Sequence, residues 1–190
     1  MSEKQANPLV ELGFKLFIIT AVVAFLLAFV NYFTQQKIMT DENNTRTEAV
    51  KKVMPGDFEY KELDKSLYSD KVKEASFAFE ASKDGVIQGY CVYVSTLGYG
   101  GPVNMMVGIN VQGTVTGIEI ISATETPGIG SRVLNSSYIE KYKGLSDPIN
   151  FSKTGLMPVS GATISSTAVK NGVNKAFEAV NLIKERGGAK

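Results

Sequence analysis

Between Lys15 and Lys37 the chain carries no charged side chain for 21 residues, LFIITAVVAFLLAFVNYFTQQ. Coiled as a helix at about 1.5 Å per residue, this stretch is about 32 Å long and matches a bilayer's hydrocarbon core of about 30 Å. A buried core helix is usually shorter and polar on one side, and a cleaved leader needs small residues at its exit. The exit here reads Asn31-Tyr32-Phe33-Thr34-Gln35-Gln36, with no small-x-small pair. The only cysteine, Cys91, lies too far downstream to be a lipidated cysteine at the exit. The segment reads as an uncleaved span of the lipid bilayer, with Tyr32 and Phe33 at headgroup level. Flanking positive charges, Lys4 and Lys15 before it against Lys37, Arg46, Lys51 and Lys52 after it, lean weakly toward an external N-terminus.

Residues 1–37 are then tail and transmembrane helix, and residues 38–190 are enough for one compact domain. Asp41 to Met54 has an acidic start, apolar Ala49, Val50 and Val53, and a Pro55-Gly56 stop, the marks of a short helix. Ala75 to Ala81 and Val86 to Thr96 alternate in hairpin fashion around Lys83-Asp84-Gly85. Val103 to Val111 and Thr114 to Ser122 do the same around Gln112-Gly113, which gives four antiparallel strands. Cys91, Met105 and Met106 fall within them as core residues. Arg132 to Lys143 reads as a short amphipathic helix ended by Gly144. From about Ser165 to Arg186, apolar Val169, Val173, Ala176, Phe177, Val180 and Ile183 recur at three and four, the pattern of a one-faced helix. Lys184 and Arg186 suit its negative end, Gly187-Gly188 closes it, and Gly172 inside it predicts close packing against the sheet. The fold class is α+β: a single N-terminal transmembrane helix, then one domain with an antiparallel sheet and flanking helices.

Charge and composition exclude several functions. With 20 Lys and Arg against 19 Asp and Glu, no overall positive field exists to hold a nucleic acid. With no His and one Cys, the chain cannot assemble a protein-only zinc site, a Cys-rich iron–sulfur cage, a His-ligated haem or a Ser-His-Asp triad. Redox chemistry would have to come from an organic cofactor.

Three blocks could hold one. Ser160-Gly161-Ala162-Thr163-Ile164-Ser165-Ser166-Thr167 sits where the last helix begins, and small residues, hydroxyls and a positive helix end suit a phosphate. The same run is also what ordinary N-capping looks like. Leu97-Gly98-Tyr99-Gly100-Gly101-Pro102 and Thr124-Glu125-Thr126-Pro127-Gly128-Ile129-Gly130 are glycine turns at strand ends, and structural turns explain each separately. Neither matches the dinucleotide or P-loop pattern.

In this order, behind one anchor, GYGGPVNMMVGI, ETPGIG and SGATISSTAV resemble the FMN-binding domain found in the G subunit of the Rnf ion-translocating electron-transport complex. They are also similar to its relative, the C subunit of Na+-translocating NADH:quinone reductase. The resemblance covers the whole chain, and the compact domain is more similar to the Rnf protein. It implies FMN joined covalently through its phosphate to the threonine of SGAT, here Thr163. Ser160, Gly161 and Ala162 would frame the bond, with Ser165 and Ser166 beside the phosphate. Glu125, Thr126, Pro127, Gly128 and Ile129 would lie against the flavin, with Gly98, Tyr99, Gly100 and Gly101 as the adjoining wall. A carboxylate there would act by holding loop backbone. Where the family usually has an Asp before SGAT, this chain reads Leu156-Met157-Pro158-Val159.

The resemblance further implies an electron-relay subunit of a prokaryotic cell-membrane complex of the ferredoxin:NAD+ type. Its FMN domain would lie outside the cytoplasm, its partners would be the other membrane subunits, and a flavin transferase would mature it. No catalytic residue and no metal ligand is assigned. Two alternatives stand beside this: the corresponding FMN subunit of a Na+-translocating NADH:quinone reductase, and a membrane-tethered binding or assembly module without redox chemistry.

Overall fold

The structure, a computed structural model, describes the backbone of residues 8–187 and the side chains of residues 11–31 and 45–187. The headgroup positions expected for Tyr32 and Phe33, and the closing Gly188, fall outside the described side chains and residues. The chain divides into two units, Met1–Asn44 and Thr45–Lys190.

The first helix, α1, runs Pro8–Val53 without interruption. The separate short helix expected from Asp41 is part of it, because after Gly13 the next helix breaker in the sequence is Pro55. Met54, which precedes that proline, is the natural stop. Within the first unit, Glu11–Asn31 is 21 residues long with a mean hydropathy of 2.5 and no part of it buried by protein. Phe17, Leu27, Phe25 and Val22 stand exposed along it. A helix apolar all round needs an apolar medium or a protein interior to cover it, and by length and composition this one is fit to cross a membrane. Its one hydroxyl in mid-span, Thr20 Oγ1, donates back to the carbonyls of Leu16 and Phe17 at 3.0 Å, so it is satisfied without water.

The second unit is built on a five-stranded antiparallel meander in the order β1-β2-β3-β4-β5. The strands are β1 Glu59–Glu62, β2 Ala75–Lys83, β3 Val86–Leu97, β4 Pro102–Asn110 and β5 Val115–Ala123. Four match the sequence expectation. The fifth, β1, is a four-residue edge strand with three charged side chains, and such an edge resists pairing with other chains but shows no alternation to read. The β2–β3 turn has Asp84 and Gly85 both at positive φ, the form whose twist suits a two-residue hairpin.

Each face of the sheet is covered by a helix. On one side lies α3, Thr163–Gly187, with Val169, Val173, Ala176, Phe177, Val180 and Ile183 buried against Val92, Val94, Met105, Val107 and Ile109. Gly172 meets the sheet as its position predicts: a Cβ there would stand 2.8 Å from Met105 Cε and 3.3 Å from Thr96 Oγ1. The basic residues of the last turn reach outward. Arg186 forms two bonds with the Asp70 carboxylate, at 2.8 and 2.9 Å, and donates to the Leu67 carbonyl at 3.1 Å. Lys184 donates to the Val111 carbonyl at 3.1 Å.

On the other face, the end of α1 buries Ala49, Val50, Val53 and Met54 against Ala81, Cys91 and Met106. Gly108 and Gly117 are cross-strand partners under this helix end. A Cβ on either would approach the Val53 carbonyl oxygen, to 2.6 and 2.9 Å, and Thr116 Oγ1 donates to that oxygen at 2.6 Å. Met105 and Met106, adjacent in β4, therefore serve opposite faces, as the period of two requires. Between β5 and α3 the structure departs from the single helix expected over Arg132 to Lys143. Three short pieces occur instead: a 3-10 turn Gly130–Leu134, one α-helical turn α2 Ser136–Ile139, and a 3-10 turn Glu140–Tyr142. Asn135 is extended, with ψ 142°, and breaks the run.

The close approach at Gly108 is open to a stability measurement. Gly108→Ala sets a methyl group against Thr116 Oγ1 and against the Val53 carbonyl, which is backbone and cannot swing away, so it should destabilise the domain by about 1–3 kcal/mol. Thermal unfolding of the detergent-solubilised chain should show a midpoint lowered by several degrees; an unchanged midpoint would refute the close approach. Burial pushes the Cys91 thiol up to about 12 from an ordinary 9.0, and Tyr68 up to about 12 from 10.0. The unfolded chain gives up these protons first, so stability should fall as pH rises from about 9 toward 12. At pH 8.5 iodoacetamide should alkylate Cys91 only after denaturation.

Candidate functional site

The ends of β3 and β5, the start of β4 and the first turn of α3 meet at one edge of the sheet. Two contacts hold α3 there: Thr96 Oγ1, at the end of β3, donates to the Ala168 carbonyl at 2.9 Å, and Gly172 admits Met105. Around this edge lie all three sequence blocks.

The β3–β4 connection closes with Gly98 N–H donating to the Gly101 carbonyl at 2.8 Å. It is then joined to the loop after β5 by one side chain. The Glu125 carboxylate accepts from Tyr99 N–H at 3.1 Å and from Gly100 N–H at 3.3 Å. The expected role of Glu125, holding loop backbone, has this geometry. Glycines make room for it: a Cβ on Gly98 would collide with Glu125 Oε1, one on Gly130 with Glu125 Oε2, and one on Gly100 with the Thr124 carbonyl. The Thr126–Ser131 turn closes on itself through Ser131 N–H to the Thr126 carbonyl at 3.2 Å and Gly128 N–H to Ser131 Oγ at 2.9 Å.

The third block begins α3 two residues earlier than periodicity suggests. Ala162 N–H donates to the Val159 carbonyl at 2.9 Å across a turn in which Gly161 has φ 79°, a left-handed value that suits glycine. The Ala162 carbonyl then accepts from Ser166 N–H at 2.9 Å, the first bond of the helix. Thr163 is thus the first helical residue and is exposed, while Ala162 occupies the cap position. The two serines that follow differ. Ser166 is fully buried and its hydroxyl accepts from Val159 N–H at 2.9 Å, which fixes the turn. Ser165 is 1% exposed and its Oγ has no hydrogen-bond partner among the described residues.

A cavity of about 510 Å³ lies where these segments converge, lined by Tyr99, Glu125, Thr126, Ile129, Gly130, Gly161, Ala162, Thr163, Ile164 and Ser165. Of the residues singled out in the sequence, Tyr99, Glu125, Thr126, Ile129, Gly161, Ala162, Thr163 and Ser165 form its walls. Gly98 and Gly100 stand behind Glu125 and Gly101 against Thr124, and Ser160, Pro127, Gly128 and Ser166 shape the turns without lining the cavity. Ile164 and Gly130 were not singled out as site residues. Ile164 lies inside the SGATISS block between two hydroxyl residues, and Gly130 ends the ETPGIG block. A second, larger groove of about 750 Å³ runs along α3 from the far side of Thr163 and Ile164, past Thr167 and Asn171 to the Lys175–Glu178 ion pair. It does not touch the Glu125 loops; the smaller cavity is the one that unites the three blocks.

A family model described as an FMN-binding domain matches residues 98–178, a stretch that starts at Gly98 and takes in every wall of this cavity. The G subunit of the Na(+)-translocating ferredoxin:NAD(+) oxidoreductase complex of Acetobacterium woodii is 33% identical over 186 residues, covering 88% of this chain and 89% of that one. The G subunit of the ion-translocating oxidoreductase complex of Stutzerimonas stutzeri is 28% identical over 182 residues, covering 85% and 76%. Among solved structures, Shewanella oneidensis NqrC superimposes with a TM-score of 0.50 at 19% identity, over 60% of this chain and 62% of that chain, a likeness of fold alone. With one residue in three shared along nearly the whole length of the Acetobacterium protein, this chain belongs to the family of G subunits of ion-translocating oxidoreductase complexes.

Proposed function

We propose that FMN is esterified through its phosphate to Oγ1 of Thr163, and that by this cofactor the chain relays electrons inside a membrane-bound ion-translocating oxidoreductase complex. The observation that carries the attachment is the first turn of α3. Thr163 is exposed on the cavity wall, and two residues on, Ser165 holds a buried hydroxyl with no partner among the described residues. A buried hydroxyl left unpaired is costly, and an anion seated at the turn would satisfy it. The first turn also leaves the N–H groups of Thr163, Ile164 and Ser165 without an acceptor inside the helix, and the helix end carries about half a positive charge. These donors fit a phosphate. Esterification reduces a monoester charge of about −1.5 to −2 to a diester charge of −1, which is easier to hold at a helix end whose cavity wall, among the described residues, has no Lys or Arg.

When bound, FMN supplies one- and two-electron transfer. The chain's own residues hold and shield it. Tyr99, Ile129 and Ile164 are 72%, 50% and 56% exposed, and they offer the flat and branched apolar surfaces that a flavin ring packs against. The Glu125 clasp keeps the two glycine loops at a fixed separation. Among the described residues one helix is fit to cross a bilayer, and a single helix does not enclose an ion path, so we assign ion movement to partner subunits. A domain from residue 38 onward outside the cytoplasm and maturation by a flavin transferase complete the proposal.

The test is expression of the full chain with and without a flavin transferase, followed by denaturation. In-gel flavin fluorescence and a mass gain of one FMN less one water should appear with the transferase alone. Colourless protein in both cases would favour a tethered module without redox chemistry. Thr163→Ala should abolish the adduct while leaving stability within about 0.5 kcal/mol, because Thr163 is exposed and is not the helix cap. Flavin retained through denaturation in that variant would exclude Thr163. Ser165→Ala should lower flavin incorporation severalfold, yet leave the flavin-free chain as stable as before or more so, since it removes an unpaired hydroxyl. Equal incorporation would remove Ser165 from the phosphate site.

A further inference from the structure

We infer that Glu125 has a second role at this site, resting on the reading of it as a flavin site: its charge holds the reduction potential of the bound cofactor down. Among the described residues, Glu125 is the only charged one lining the cavity. Its hydrogen-bond donors, Tyr99 N–H and Gly100 N–H, are backbone dipoles. They hold the carboxylate in place and leave its net charge uncancelled. The packing keeps the group there, because side chains at Gly98 and Gly130 would occupy the positions of its two oxygens. Only a carboxylate of this length reaches both amides from this loop, while an amide side chain, with one oxygen, satisfies at most one of them well.

Above neutral pH the couple concerned takes two electrons from the reductant and one proton from solvent, so the fully reduced ring carries one negative charge more than the oxidised ring. Electron uptake beside a fixed negative charge is opposed by Coulomb repulsion, and in a cavity partly closed to water that repulsion is screened less than on an open surface. Glu125 is therefore a positioning residue for the loops and an electrostatic determinant of the potential. The two roles separate experimentally, since one depends on the hydrogen-bond geometry and the other on the charge.

The full chain, flavinylated by a co-expressed transferase, is compared with Glu125→Gln and Glu125→Asp. Midpoint potentials are read by dithionite titration against indicator dyes. Amide exchange at Tyr99 and Gly100 is read in the flavin-free Thr163→Ala background. Glu125→Gln should shift the reduced-to-oxidised ratio at a fixed potential at least tenfold toward reduced flavin, an upward move of about 30 mV for a two-electron couple. It should also speed exchange of at least one of the two amides tenfold. Glu125→Asp keeps the charge, so it should speed exchange but leave the potential nearer that of the unaltered chain. A Gln variant with unchanged or lower potential would overturn the electrostatic role, as would an Asp variant shifted upward as far as Gln. Unchanged exchange in the Gln variant would overturn the clasp. Failure of the unaltered chain to take up any flavin would instead overturn the functional reading on which this one rests.

Discussion

Thr96 and Ala168 come from segments 72 residues apart, and the hydrogen bond between them fixes where α3 begins relative to the ends of the strands. A helix N-terminus binds an anion only through its first turn, because the unpaired N–H groups and the dipole's positive end both fade within that turn. A few ångströms of slippage along the sheet would carry Thr163 away from the loops that follow β3 and β5. Gly172 acts on the same constraint. Without a side chain there, Met105 and Thr96 come up against the helix and set both its height and its register. The domain's largest core element is in this sense also the support of its site.

Glycine serves two separate purposes in the sheet. Under the end of α1, Gly108 and Gly117 lower the floor so that the Val53 carbonyl can approach the strands and accept from Thr116. At the opposite edge, Gly98, Gly100 and Gly130 leave the space that the Glu125 carboxylate and the Thr124 carbonyl fill. In neither place is the glycine there chiefly for an unusual backbone angle. Both are cases of close approach, in which an atom absent from one segment allows a polar contact to another. The two faces of the sheet then divide their work: one seats the end of α1, and the other supports the site.

Periodicity made α3 and four strands legible, since each buries one face over many residues. It failed where burial is slight or mixed. The edge strand β1 has no buried side chain, and the run after β5 is a series of single turns separated by an extended Asn135. The connection from span to domain reads as a separate helix because of its change in composition, yet composition alone does not end a helix when no Gly or Pro intervenes. At the site, the structure brings the three blocks together around one cavity, and spacing could not distinguish Ser165 from Ser166. Which of two adjacent hydroxyls faces the cavity and which pairs with Val159 depends on where the helix starts, a matter of two residues. That Glu125 holds loop backbone was legible in the sequence, but which amides it holds was not, because they lie 25 and 26 residues away and leave no side-chain signature.

A single bond from a threonine oxygen to phosphorus decides between a redox carrier and a tethered domain. The most direct measurement is a peptide map of the chain purified from the membranes of its own cell, with the flavin-bearing fragment isolated by its absorbance and sequenced by mass spectrometry. One yellow peptide spanning the start of α3 is expected, with the phosphodiester on Thr163 and unmodified serines on either side. A native chain whose Thr163 peptide is entirely unmodified would contradict the attachment and, with it, the relay.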